Sequence, residues 1–232
     1  MLTSTPWQAT GIAGADGTMQ APVASSAPTL TFDVDAVAGN ASCNRYFGSF
    51  ELDGATLTFG PLASTEMFCA DPGVMEQEQA YLTALASVDA WSIENEELTL
   101  TAGGEPVVTY AAISQDLAGT SWQLVGYNNG QGGFASVTGS EAVTAAFSDD
   151  GVSGSSGCNS YTASYEAGDD GSITIGPAAG TRMMCEDDAV MDQEARYLAV
   201  LELADTYLIG PGSLEIFDEG GTRLLQYVAI EG

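Results

Sequence analysis

The chain has 232 residues, with 32 Asp and Glu set against four Arg, no Lys and no His, and a formal net charge of −28. Such a field repels phosphate backbones and anionic headgroups, which excludes nucleic-acid binding and polybasic membrane attachment; the missing His and Lys exclude Ser-His, Cys-His, Schiff-base and Ser-Lys chemistry. At 45% hydrophobic residues the chain is globular, and no apolar run approaches the length of a membrane span.

In chain order, a strand is predicted from Trp7 to Ile12, then a loop rich in Gly, Ala, Ser and Pro to Pro28. Alternation over Thr29 to Phe32 predicts a half-buried strand, followed by Val37, a turn at Cys43 and a strand from Tyr46 to Leu52. Asp53-Gly54 signals a hairpin into Thr56 to Phe59. Asp71-Pro72 supplies a helix start, with Asp71 as cap, for a helix from Gly73 to Ser87. Strands near Trp91 to Glu94, Glu97 to Thr101 and Pro106 to Ala111 close the unit. Residues 113–116 form the linker. The second half repeats this order, with strands at Trp122 to Tyr127, Ala142 to Phe147, Tyr161 to Glu166 and Ile173 to Ile175. A helix from Asp188 to Leu203 follows, its positive end matched by Glu186, Asp187 and Asp188. The last strands fall at Tyr207 to Ile209, Leu214 to Phe217 and Leu224 to Ile230. Each unit is thus read as short antiparallel strands with one helix inserted after the fifth, and a single helix buries most apolar surface if the sheet curls around it.

The two halves are copies. Gly39 to Phe50 matches Gly154 to Tyr165, Gly60 to Cys69 matches Gly176 to Cys185, and Val74 to Leu82 matches Val190 to Leu198. A period of about half the chain means tandem globular domains, placed at 1–114 and 115–232. Residues 1–115 hold 14 acids and one Arg (net −13) and residues 116–232 hold 18 acids and three Arg (net −15), so the acidity is a whole-surface property. It is read as a solvated coat, with weak cation binding as the alternative. Acidic clusters at Glu94 to Glu97, Asp169-Asp170 and Glu186 to Asp188 offer only a weak calcium signal, without the Asp-x-Asp-x-Asp-Gly spacing of an EF-hand. The short linker and matching halves lead to the expectation that the two domains pack on each other.

Four Cys, two per half at matching places, imply one bridge per domain, Cys43 with Cys69 and Cys158 with Cys185, and an oxidising compartment. No Cys-x-x-Cys pair is present, so neither metal nor cofactor is expected. An export segment is expected to precede Met1.

The order Trp, Gly-x-x-x-Cys-Asn-x-Tyr, Thr-x-Met-x-Cys, Met-x-Gln-Glu-x-x-Tyr-Leu resembles the META domain family, also called HslJ-like, over nearly all of both halves. The resemblance implies an α+β fold in which a curled antiparallel sheet, a half-barrel, wraps around one helix. It also implies bacterial proteins exported or anchored in the cell envelope, often lipoproteins, associated with stress and antibiotic resistance, and no agreed catalytic activity.

One acid recurs in the matched blocks, Glu78 with its counterpart Glu194. It shares a helix face with Val74, Tyr81, Leu82 and Leu85, so it points to the core, where it must be hydrogen-bonded or neutral. It is read as a structural acid bonded to backbone N–H groups or Asn side chains, with a proton-donating or ligand-binding acid as the sharper alternative. Asn44 and Asn159 are read as turn residues tying a loop to a strand. Trp7, Trp122, Met67, Met183 and Met184 are assigned to the core. The function expected is a non-catalytic, exported binding or envelope module whose partner is an unknown protein. The alternatives are a carrier of a small hydrophobic ligand in the half-barrel cleft and a carboxylate-dependent hydrolase, which needs two acids where the motifs supply one per domain.

Overall fold

A computed structural model describes residues 2, 5–23, 26–168, 170–185 and 187–230, so Asp169 and Glu186 of the acidic clusters lie outside the described residues. The chain divides into two units, 1–113 and 114–232.

In the first unit β1 (Trp7–Ala13), β2 (Met19–Gln20), β3 (Thr29–Phe32), β4 (Ala36–Asn40), β5 (Arg45–Asp53), β6 (Thr56–Phe59) and β7 (Ala63–Ser64) precede α1 (Val74–Ser87). The strands β8 (Ala90–Glu94), β9 (Glu97–Ala102) and β10 (Glu105–Ala112) follow it. The sheet runs β10-β9-β8-β6-β5-β4-β3-β1, and β1 also pairs with β10, so eight antiparallel strands close on themselves. This corrects the half-barrel expectation. Closing a ring needs local coiling, which a bulge between Ala9 and Gly11 supplies in β1. A second bulge in β10 accommodates Pro106, which has no N–H to give the ladder.

The helix follows the seventh strand instead of the fifth, because the two-residue β2 and β7 are too short for alternation to register. Its cap is Gly73, at φ 83°, with no side-chain bond; Asp71 contributes only its carbonyl, which accepts from Val74 N. Helix α1 packs on β1, β6 and β10. Leu30, Leu57, Leu85, Leu98, Leu100 and Val108 are wholly buried with Trp7, and Trp7 donates from Nε1 to the carbonyl of Leu2.

The second unit holds β11 (Ser121–Asn128), β12 (Phe134–Ser136), β13 (Thr144–Ser148), β14 (Gly151–Ser155), β15 (Ser160–Ala163), β16 (Tyr165–Ala167), β17 (Ile173–Ile175) and β18 (Ala179–Gly180). Helix α2 (Asp188–Leu201) and β19 (Thr206–Gly210), β20 (Ser213–Phe217) and β21 (Arg223–Ala229) complete it. The order β18-β15-β14-β13-β11-β21-β20-β19 repeats the first circuit, with a bulge between Leu124 and Gly126. The strand expected from Tyr161 to Glu166 breaks at Ser164, and its continuation β16 pairs with β17. Bonds from Ile173 N to Asp205 O and from Tyr207 N to Gly171 O carry the circuit on to β19. At the start of α2, Asp187 is the cap and accepts from Ala189 N at 2.9 Å.

Each unit buries three tyrosines whose hydroxyls form a chain. Tyr110 donates to Tyr81 at 2.9 Å, Tyr81 and Tyr46 lie 2.9 Å apart, and Tyr46 donates to the carbonyl of Thr29. Tyr227, Tyr197, Tyr161 and the carbonyl of Thr144 repeat the arrangement. Burial away from water pushes all six phenols above the usual tyrosine range. Here the glycine of the Gly-x-x-x-Cys motif finds its reason: a Cβ on Gly39 or Gly154 would strike the very Thr29 or Thr144 carbonyl that accepts the tyrosine proton.

Candidate functional site

Cysteine, asparagine and glutamate of the matched blocks converge at one place in each unit. The Cys43 turn lies between β4 and β5, and α1 lays Glu78 beneath it. Glu78 Oε2 accepts from Asn44 N at 2.7 Å and Cys43 N at 3.1 Å, and Oε1 accepts from Asn44 Nδ2 at 2.8 Å. Asn44 then reaches the other way. Its Oδ1 accepts from Met67 N and from Thr65 Oγ1, both at 2.7 Å, and its Nδ2 also donates to Met67 O at 3.0 Å. One buried Asn side chain therefore joins the helix acid to the segment after β7, and the Cys43–Cys69 disulfide joins the same turn to the end of that segment.

The second unit repeats these bonds. Glu194 accepts from Asn159 N at 2.9 Å and Asn159 Nδ2 at 2.8 Å, while Asn159 Oδ1 accepts from Met183 N and Thr181 Oγ1, both at 2.7 Å, beside the Cys158–Cys185 disulfide. Ser156 adds a donor at 2.6 Å that Ala41, its counterpart, cannot offer Glu78. Burial pushes the Glu194 carboxyl up, but the donors from Ser156 and Asn159 and the backbone N–H groups outweigh it, so the group sits below the usual carboxylate range. The turn differs in one further respect: Ser42 holds φ 133° where the second copy places Gly157 at φ 105°, and Ser42 is kept there by a bond from its N–H to Asn40 and by Gln77 donating to its Oγ. A β-carbon in that region is strained, and glycine avoids the strain.

Glu78 and Glu194 are 7% and 8% exposed, and both oxygens of each accept from donors of the fold. Asn44 and Asn159 are buried clamps. The sequence reading missed the glutamine beside each acid. Gln77 binds Val23 N, Ser26 O and Ser42 Oγ, and Gln193 binds both N and O of Thr138, so each fastens the long first loop to the helix. It also missed Thr65 and Thr181 and the tyrosine chains; their signal was recurrence in both copies.

The core assignment of Met67, Met183 and Met184 is overturned. They are 57%, 59% and 92% exposed, and Phe68 is 82% exposed. Asn44 and Asn159 bind the backbone on the inner side of this segment, so its side chains are left in solvent. Residues 63–68 and 179–184 are exposed throughout. Two of the four arginines belong to these regions: Arg45 O accepts from Thr65 N, and Arg182 lies inside the second run. The other two are engaged within the second unit, Arg196 on Asn128 O, Arg223 on Glu215 and over the Phe134 ring. Among the described residues no three acids, His or Cys come together as a metal site, and Asp170 spends its carboxylate on Ser172.

The META domain pattern matches residues 1–113 and again residues 115–229. The chain belongs to the META domain family. Two solved structures resemble part of this META-domain chain. An NMR structure of a protein from Burkholderia xenovorans is 31% identical over 49% of this chain and 85% of that one, with a TM-score of 0.43. A second NMR structure is 26% identical over 47% of this chain and 90% of the other, with a TM-score of 0.39. No curated protein matches. No helix among the described residues is long and apolar enough to cross a membrane.

Proposed function

We propose that the protein is a non-catalytic binding module of an exported or envelope-bound setting, built as two tandem sheets each wrapped around its helix, and that it binds partners through the exposed runs 63–68 and 179–184. The observation that carries this reading is the clamp of Asn44 and Asn159, which fixes a Met or Phe pair outward in solvent in both copies. Exposed apolar residues at the end of a tethered loop mark interaction sites, and the pinned backbone lowers the ordering cost of binding. Against catalysis stands the engagement of both carboxylate oxygens of Glu78 and of Glu194 by internal donors, which holds the acid shared by the copies within the fold. Two disulfides are consistent with an oxidising compartment.

A thermal-shift screen of the full chain with basic peptides, fatty acids and calcium tests it. A true ligand at about a hundred times its Kd stabilises the fold by about 2.7 kcal/mol. The expected result is stabilisation by peptides that is lost in the Phe68→Ser, Met184→Ser double variant, with its unliganded melt unchanged. Stabilisation by fatty acids that survives both substitutions overturns the reading in favour of a carrier.

A further inference from the structure

The exposed runs carry more than apolar side chains. In the first unit Thr65 N bonds inward to Arg45 O and Met67 N inward to Asn44 Oδ1. In the second, Thr181 N bonds inward to Ser160 O and Met183 N inward to Asn159 Oδ1. Inward donors at every second residue mean extended backbone, so the intervening N–H groups point the other way. Those of Glu66, Phe68, Arg182 and Met184 have no acceptor among the described residues, and all four residues are exposed. Each unit thus presents a free backbone edge along the run that leaves β7 or β18. Proteins blunt such edges with Lys, Pro or covering chain. Neither run contains Lys or Pro, and each carries a single charged side chain, Glu66 or Arg182.

From this geometry, and resting on the binding reading above, we infer that each edge takes an extended, basic segment of a partner protein as an added antiparallel strand. Backbone pairing gives the attachment, and Phe68 or Met184 contacts alternate apolar side chains of the incoming segment. The copies keep the outward N–H groups and the apolar pair while exchanging Glu66 for Arg182. What they share is therefore backbone and apolar surface, and the charge preference comes from the field of the whole unit. With nets of −13 and −15 on the two halves, a second copy of this chain is repelled and a Lys- or Arg-bearing segment is attracted.

Amide exchange on the full chain tests the inference, using a synthetic peptide of about ten residues that alternates Val and Thr between Lys pairs. Exchange is expected to slow at Glu66, Phe68, Arg182 and Met184 and to stay as it was at Thr65 and Met67, whose N–H groups are already bonded. Affinity should fall about tenfold when Lys is replaced by Glu, or when salt rises from about 0.05 M to about 0.5 M. It should fall at least about tenfold when the peptide amides that face the edge are N-methylated, because methylation removes the ladder donors and leaves the side chains. Equal binding of the methylated peptide, with shifts still at Phe68 and Met184, would overturn strand addition while leaving the binding module standing. Slowed exchange without peptide that grows with protein concentration identifies a second copy as the occupant and overturns the basic partner. No slowing at any of the four residues refutes the inference outright, whatever the thermal-shift screen shows.

Discussion

Replacing Glu78 by Ala is expected to destabilise the first unit by about 3–5 kcal/mol, and replacing it by Gln by about 1–2 kcal/mol. Alanine strands three buried donors, the N–H groups of Cys43 and Asn44 and the amide of Asn44, in a place water does not reach. Glutamine keeps one oxygen for the two backbone donors, but its own amide then meets Asn44 Nδ2, donor against donor. The same pair of substitutions at Glu194 adds a pH signature. Its folded pKa lies below the unfolded one, so the stability it contributes is complete above the ordinary glutamate value and is lost as pH falls through the lower folded value. Urea melts of parent and Glu194→Gln should therefore converge as pH is lowered from about 6 to about 3. Identical melts for parent, Gln and Ala variants at neutral pH would show that the clamp contributes nothing.

Removing a disulfide is expected to have an effect of the same size by a different route. The double substitution Cys158→Ser, Cys185→Ser opens a loop closed over a separation of 27 residues. Loop-closure entropy in the unfolded chain then favours unfolding by about 3.5 kcal/mol. For a unit of this length that lowers the melting temperature by roughly 10–20 °C. Most of the loss should appear in the unfolded state, because Asn159 continues to hold Met183 in the folded one. Calorimetry of the variant, with reductant applied to the parent as a control, measures it. A loss below about 1 kcal/mol would mean that the unfolded chain is already constrained near these cysteines.

Much of this was legible in the repeat itself. Elements long enough to show periodicity, such as α1 and β9–β10, emerged from alternation and helix spacing. Pairing each Cys with the one in its own half needed only the duplication. Ring closure was not legible, because β1 and β10 are about a hundred residues apart and nothing local in either strand announces the other. Nor were β7 and β18, two residues each, which exist as strands only through their partners β5 and β15. The error over Met67, Met183 and Met184 has a physical source. Hydrophobicity gives a tendency to bury a side chain, but here Asn44 and Asn159 hold the backbone of Met67 and Met183 on the inner side of the segment, and the side chains of the run, Met184 among them, are left outward. The Asn placed one step after the first Cys of each half was the signal, and it indicates a turn without indicating what the turn holds.

Six of the nine tyrosines sit in the buried hydroxyl chains, three to a unit. Their folded pKa values lie well above those of the unfolded chain, so the stability they contribute is intact below about pH 10 and drains as alkali rises beyond it. Three phenols released together make that drain steep, about 4 kcal/mol per pH unit for each unit. The interior thus acts as a proton store that empties as the fold opens. Alkali therefore couples the ionisation of these hydroxyls to the unfolding of the sheet, because the unfolded chain gives up their protons more readily than the native fold does.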